Sequence, residues 1–328
     1  MVFDTGSINS SSKLLPLVDS YLDYFAGSSR HTAKAKRLDL NKFINFLARQ
    51  KGYAKTEKLK LKDWSHSSTQ NFVDYFLDQE SPATVARRLA TIKHCGRTLA
   101  EKIAGFTNPA KEVKTPKIQK AVPKALTKAE IKKVLKQARK RLKEKSSFIR
   151  YRNQVVFCFL LETGLRADEV RLLKLSQLDQ ELSWIKNVRT KGKRYRNVYV
   201  NTDLSELLEE YLEHRQQELL KFFPKLNAQI DGQIPLFIST YGAKAEDPAS
   251  FLMGAKTIWR AINELGAELG LHPHLLRHTF ALDLLKSSKD IRLVSQALGH
   301  GDVRITMQYT ERGDHEVALA IEQKERQI

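Results

Sequence analysis

The second half of this sequence carries arginines, lysines, histidines and a tyrosine in types and order suited to handling a phosphate. In Gly164-Leu165-Arg166-Ala167-Asp168-Glu169, the glycine allows a turn and Arg166 then stands at or near a helix start, where free backbone N–H groups favour an anion. Taken alone, Arg166 could equally be a surface residue or pair with Glu169, three positions on. Thr190-Lys191-Gly192-Lys193-Arg194 is basic enough for a phosphate or a groove, and spacing does not choose among Lys191, Lys193 and Arg194. In His272-Pro273-His274-Leu275-Leu276-Arg277-His278, Pro273 fits a first helical turn, so His274 and Arg277 share one face near its positive end. A guanidinium fork there can take two phosphate oxygens, and an imidazole beside it can orient or move a proton. The plain alternative is a capped helix start with incidental basic residues. Leu298-Gly299-His300 precedes Asp302, a plausible N-cap, and Tyr309 ends the short helix that Asp302 begins. A single histidine or tyrosine is more often a packing residue than a catalyst; the order and spacing of all five segments give them weight.

These residues need elements to hold them. Tyr151 to Leu161 is a strongly apolar helix leading into the Arg166 turn. Trp184 to Val188 and Arg196 to Val200 alternate as a hairpin with its loop near Lys191–Arg194. Leu204 to Leu220 is a helix with acidic first turns, and Pro235 to Ser239 could form a short strand. Helices are expected at about 250–269, 274–287, 291–298 and 303–309, with a last one from about Asp314. Upstream, Leu14 to Phe25 places Leu17, Tyr21, Tyr24 and Phe25 at helical spacing, and Leu38, Leu40, Phe43, Phe46 and Leu47 mark a second helix. Trp64 to Leu77 gives a third, and Ser81-Pro82 caps and opens a fourth that runs to about Ile103. Thr127 with Glu130 forms a capping box before Ile131 and Leu135.

The expected fold class is mainly α with a small antiparallel β-sheet. Residues 1–12 are expected to be a flexible N-terminus and 13–108 an all-helical domain. Residues 109–124, with Pro109, Pro116, Pro123 and five lysines, form a basic linker, and 125–328 a mixed α/β domain.

Composition narrows the partner. The 328 residues include 56 Lys+Arg against 37 Asp+Glu, a formal charge of +19, with an ordinary 41% of hydrophobic residues. That combination points to a polyanion, with nucleic acid favoured over an anionic membrane surface, since no basic amphipathic anchor or lipidation signal stands in the chain. Lys128 to Arg152 holds 11 Lys/Arg against two Glu and, with the linker, supplies most of a phosphate-contacting belt. Met1 to Pro16 has no apolar core of signal-peptide length, and no run of about 18 apolar residues suggests a membrane span. Cys95 and Cys158 lack metal-ligand spacing and are expected to be buried thiols in a reducing cytoplasm.

The order Arg…Lys…His-x-x-Arg…His…Tyr, its last two members nine positions apart, resembles the tyrosine recombinase family, the phage integrase or lambda-integrase-like and Xer-like proteins. TGLRADEV, the basic hairpin, HPHLLRHTFA and LGHGDVRITMQYT carry the resemblance in one half. SSRHTAKAKRLDLNKFINFL, SPATVARRLATI and PKALTKAEIKKVL extend it over nearly the whole chain. It implies a helical core-binding domain, a catalytic domain of the tyrosine recombinase and type IB topoisomerase kind, and a clamp around duplex DNA. Arg166 and Arg277 would hold the scissile phosphate, Lys191 would protonate the departing 5′ oxygen, and His274 would assist proton transfer or orient the phosphate. His300 would hydrogen-bond a non-bridging oxygen, Tyr309 would be the nucleophile, and Glu169 would support the site. No cofactor, metal or ATP is expected, since such cations can offset the transition-state charge themselves and neither a Mg²⁺-type carboxylate cluster nor a phosphate-binding Gly-rich loop is evident. The implied partners are double-stranded DNA with inverted-repeat sites and further copies of the chain, a dimer on one site and a tetramer in synapsis. A helper protein is left open, and the implied location is the cytoplasm, at the nucleoid. A DNA-binding accessory protein that has lost catalysis and a type IB topoisomerase are the alternatives. The six filled positions argue against the first, and the helical first domain and the His300–Tyr309 spacing against the second.

Overall fold

The structure is a computed structural model and describes residues 8–26, 30–118, 124–190, 194–299 and 306–307. The chain divides into two compact units, Met1–Lys120 and Ala121–Ile328.

The described part of the first unit has four α-helices: α1 (Leu14–Ala26), α2 (Arg30–Gln50), α3 (His66–Leu77) and α4 (Pro82–Ala100). Residues three and four apart form their buried stripes, such as Leu40, Phe43, Ile44 and Leu47 on α2 and Val85, Leu89, Ile92, Cys95 and Leu99 on α4. Edge-on aromatic pairs lock the centre, with Phe43 5.6 Å from Trp64 and 5.3 Å from Phe72 between ring centroids. Ser81 caps α4 by accepting the Thr84 N–H at 3.3 Å, with Pro82 in the first turn. Tyr24 and Leu38, expected on the apolar faces, are exposed. Ala110 and Val113, inside the stretch expected to be linker, are buried in this core. Two apolar residues in a lysine-rich run are too few to show a period.

The described part of the second unit begins with α5 (Lys128–Glu144), α6 (Phe148–Thr163) and α7 (Ala167–Leu172). The hairpin β1 (Trp184–Arg189) and β2 (Tyr195–Tyr199) follows, then α8 (Thr202–Leu220), α9 (Ala228–Asp231), α10 (Ala255–Leu265), α11 (Pro273–Ser288) and α12 (Ile291–Leu298). α6 is the central post, burying Val155, Val156, Phe157, Phe159 and Leu160 against α5, α8, α10 and α11. Thr127 and Glu130 make the expected reciprocal cap, at 3.2 and 2.7 Å. The basic residues of α5 line its solvent side, whereas Val134 and Ala138 face inward. Arg152 departs from the basic belt assigned to it. Its side chain is buried and donates to the Ile238 carbonyl at 2.7 Å, because it falls on the inner face of α6.

The hairpin pairs Ile185 with Val198 and, beyond a bulge, Val188 with Arg196. Asn187 takes the left-handed backbone (φ 55°) at that bulge and donates its N–H to the Asn197 side chain at 3.1 Å. The extra residue brings Ile185 and Val188 to the same inner face, opposite Val198 and Arg196. Pro235 to Ser239 does not join this sheet. It is a largely buried extended run that meets Lys174 and Leu252 in single bridges, because Pro235 cannot donate to a ladder. The helix expected over 250–269 is interrupted, since α10 stops before Gly266 and a 3₁₀ turn follows at Ala267–Leu269. Of the helix expected at 303–309 only residues 306–307 are described, and the one expected beyond 314 lies outside the described residues.

Candidate active site

Chain reversal at the end of α6 creates the first part of the site. Gly164 closes that helix in the left-handed region (φ 60°), its N–H donating to the Leu160 carbonyl at 3.1 Å. A Cβ at this position would stand 2.3 Å from the Phe280 ring, so both backbone and packing call for glycine. Arg166 follows at the N-cap of α7. Its backbone N–H donates to Glu169 Oε2 at 2.9 Å and its guanidinium Nη1 to Glu169 Oε1 at 2.8 Å. The acid-partner reading and the phosphate reading of Arg166 are therefore compatible: the ion pair orients the side chain, which stays 26% exposed.

Glu169 serves more than one cation. Its side chain is 5% exposed, and Oε2 also accepts from Arg196 Nη2 at 3.2 Å and lies 4.0 Å from Arg277 Nη1. Segments distant in sequence thus converge on one buried carboxylate, which leaves an excess of positive charge around it.

His272 caps α11, its Nδ1 accepting the Leu275 N–H at 3.1 Å, and Pro273 occupies the first turn. That geometry commits His272 to the cap and sets His274 and Arg277 one turn apart. Arg277 is buried, with Nη1 donating to the Gly164 carbonyl at 2.6 Å and Nη2 to the Leu298 carbonyl at 2.8 Å. One guanidinium therefore ties the C-terminal ends of α6 and α12, where carbonyls carry partial negative charge. His274 is exposed. Partial desolvation, then the neighbouring His272 and the guanidiniums of Arg277 and Arg166, hold its pKa below the usual 6.5. His278 behind it is depressed in the same sense, chiefly by burial.

Lys191, His300 and Tyr309 lie outside the described residues, but their flanks are described. Thr190 closes the base of the hairpin tip, its N–H and hydroxyl donating to the Arg194 carbonyl at 2.8 and 3.1 Å. Gly299 ends α12 in the left-handed region (φ 65°), one residue before His300. Of the six candidate positions, the structure brings Arg166, His274 and Arg277 into one neighbourhood.

Sequence reasoning missed Arg196. Its signal was the hairpin alternation, which puts it two residues from the buried Val198 and therefore on the inner face. Among the described residues there is no group of three or more His, Cys, Asp or Glu placed to hold a metal, and no helix long and apolar enough to cross a membrane. Cys95 and Cys158 are free, and burial pushes both thiols up to about 12.

Known proteins place this geometry in context. The phage integrase family model matches residues 124–316. Tyrosine recombinase XerC of Thermodesulfovibrio yellowstonii is 31% identical over 289 residues, spanning 87% of this chain and 86% of that protein. XerC of Myxococcus xanthus is 30% identical over 306 residues, spanning 93% and 94%. Among solved structures, the XerH site-specific recombinase bound to palindromic difH substrate, a post-cleavage complex, superposes with a TM-score of 0.69 at 20% identity, over 93% of this chain and 83% of that one. A lambda integrase dimer bound to a core site gives 0.65 at 16%, over 97% and 81%, and shares the fold. With a matching family model over more than half its length and relatives at this identity across nearly all of it, the chain belongs to the phage integrase family of tyrosine recombinases.

Proposed function

We propose that this protein is a site-specific recombinase in which Tyr309 attacks a DNA phosphorus, breaking its bond to the 5′ oxygen. The products are a 3′-phosphotyrosyl ester and a free 5′ hydroxyl; a 5′ hydroxyl from a second site then reverses the step and exchanges the strands. The observation that carries this reading is the convergence of Arg166 and Arg277 on Glu169, with His274 alongside. Phosphoryl transfer depends on positioning and on neutralising charge at the phosphate, and fixed guanidiniums do both. Arg166 and Arg277 grip the non-bridging oxygens, His300 donates to one of them, and Lys191 protonates the departing 5′ oxygen. A phenol with a pKa near 10 needs help in losing its proton, and neutral His274 beside these cations can accept it. The exposed basic face of α5 meets the DNA backbone away from the reacting phosphate. Its place of action is the cytoplasm, at the nucleoid.

A duplex nicked just 3′ of the cut, which loses its 5′-hydroxyl fragment, tests the reading. Covalent protein–DNA ester is expected, and exchange between two duplexes carrying one site separates recombination from simple relaxation. The depressed pKa of His274 sets a further expectation. Its neutral form persists to lower pH than that of an ordinary imidazole, so cleavage at limiting DNA, which reports the free protein, should fall only below pH 6.5. An acid limb at or above 6.5, or one that survives in His274→Asn, contradicts this role.

Assembly follows from the same unit. An open groove of about 960 Å³ is lined by Trp184, Tyr195, Tyr199, Phe280, Leu284 and Leu293. Trp184, Tyr195, Tyr199 and Leu293 stay exposed there, with Phe280 and Leu284 half-buried beside them, and such an apolar lining fits a partner segment. We assign it to Val317, Leu319 and Ile321 of a second copy, giving a dimer on one inverted-repeat site and a tetramer in synapsis. Deleting residues 314–328 is expected to leave single-site binding within about threefold and weaken tetramer formation about tenfold or more, as loss of even a modest apolar contact does. Tetramers of normal stability by sedimentation would exclude the exchange.

A further inference from the structure

We propose that Arg196 is a positioning residue for strand cleavage, holding Arg166 through Glu169 and supporting the turn before His300; this rests on the recombinase reading. Three observations meet at this side chain.

The first is its place. Arg196 is 9% exposed on the inner face of β2, beside Val198 and opposite Val188, in a layer otherwise built of aliphatic residues. A buried cation there costs folding free energy, and an apolar side chain of similar size is commonly neutral or better for stability. Burial accordingly lowers the pKa of this guanidinium from its ordinary value.

The second is its partner. Glu169 already has a two-point contact from Arg166, so a second arginine is more than charge compensation requires. Arg196 Nη2 takes up Oε2, the oxygen that also lies 4.0 Å from Arg277. Without that bond, the carboxylate is free to draw Arg166 and Arg277 inward, away from an incoming phosphate. Arg196 Nε and Nη1 are buried and have no hydrogen-bond partner among the described residues, so this guanidinium keeps most of its positive field.

The third is its other neighbour. A Cβ on Gly299 would lie 2.3 Å from Arg196 Nη1, so the α12 turn rests directly on this guanidinium. His300 is the next residue, and Lys191 lies five residues before Arg196 on the same hairpin. One side chain therefore sits among the segments that carry Arg166, Lys191 and His300. Charge, shape and connectivity agree on a role in aligning them.

The test is a double-mutant cycle on the nicked duplex, reading the single-turnover rate of covalent ester formation for wild type, Arg196→Gln, Arg196→Lys, Arg166→Ala and Arg166→Ala with Arg196→Gln. Arg196→Gln is expected to slow cleavage by about 10²-fold, the scale of an ångström-sized misplacement, with DNA affinity and thermal midpoint nearly unchanged. Arg196→Lys, which keeps a charge on Glu169, should recover most of that loss. In the Arg166→Ala background, Arg196→Gln should have little further effect, because its route of action has been removed. Equal losses in both backgrounds, or a wild-type rate in Arg196→Gln, overturn the proposal. Absence of ester in the wild type would sink the recombinase reading itself, a separate outcome.

Discussion

Arg277→Lys is expected to lower the single-turnover cleavage rate by about 10³-fold, the range for losing a fixed charge-stabilising donor in phosphoryl and acyl transfer. The reason lies in how the guanidinium is held. Nη1 and Nη2 are bonded to the carbonyls of Gly164 and Leu298, and that pair of bonds sets its plane beside Glu169. A lysine ammonium is a point charge on a flexible stem and cannot span two carbonyls while presenting a fork to a phosphate. One of those carbonyls would then be buried without a donor, at about 1–3 kcal/mol. The melting temperature of the second unit should therefore fall by several degrees, while its helical content and single-site DNA binding stay close to wild type. Cleavage within tenfold of wild type would mean that Arg277 serves the fold alone, as a tie between α6 and α12.

Tyr309→Phe has the largest expected effect, complete loss of the covalent adduct. Phenylalanine keeps the ring and removes the one atom that forms the bond to phosphorus. Since nothing else in the proposed mechanism can store the cleaved phosphodiester, no slower route remains. DNA binding should persist, because phosphate contacts come from Lys and Arg side chains and not from the phenol.

The parts of this architecture that could be read from the sequence are those governed by local rules. Ser81-Pro82 and Thr127 with Glu130 mark helix starts because capping is a contact between residues three apart, and both form as expected. Pro273 and Gly164 likewise locate the turns that carry His274 and Arg166. What escaped reading depends on distant partners. Local periodicity can put Arg196 and Arg152 on inner faces, but nothing within a few residues reveals which distant groups receive their guanidiniums, Glu169 for one and the Ile238 carbonyl for the other. Pro235 to Ser239 has a strand-like composition, yet it finds only single bridges to Lys174 and Leu252. The exposure of Leu38 shows the same limit, since helical spacing defines a face but not what covers it.

The central claim is that a phenolic oxygen in this chain becomes bonded to DNA phosphorus. The direct measurement is to trap the protein on the nicked duplex, digest it, and identify by mass spectrometry the peptide that carries the nucleotide. A 3′-phosphate ester on Tyr309, absent from Tyr309→Phe although that variant still binds the duplex, is the predicted result. An adduct on another residue, or one that persists in Tyr309→Phe, would contradict the account.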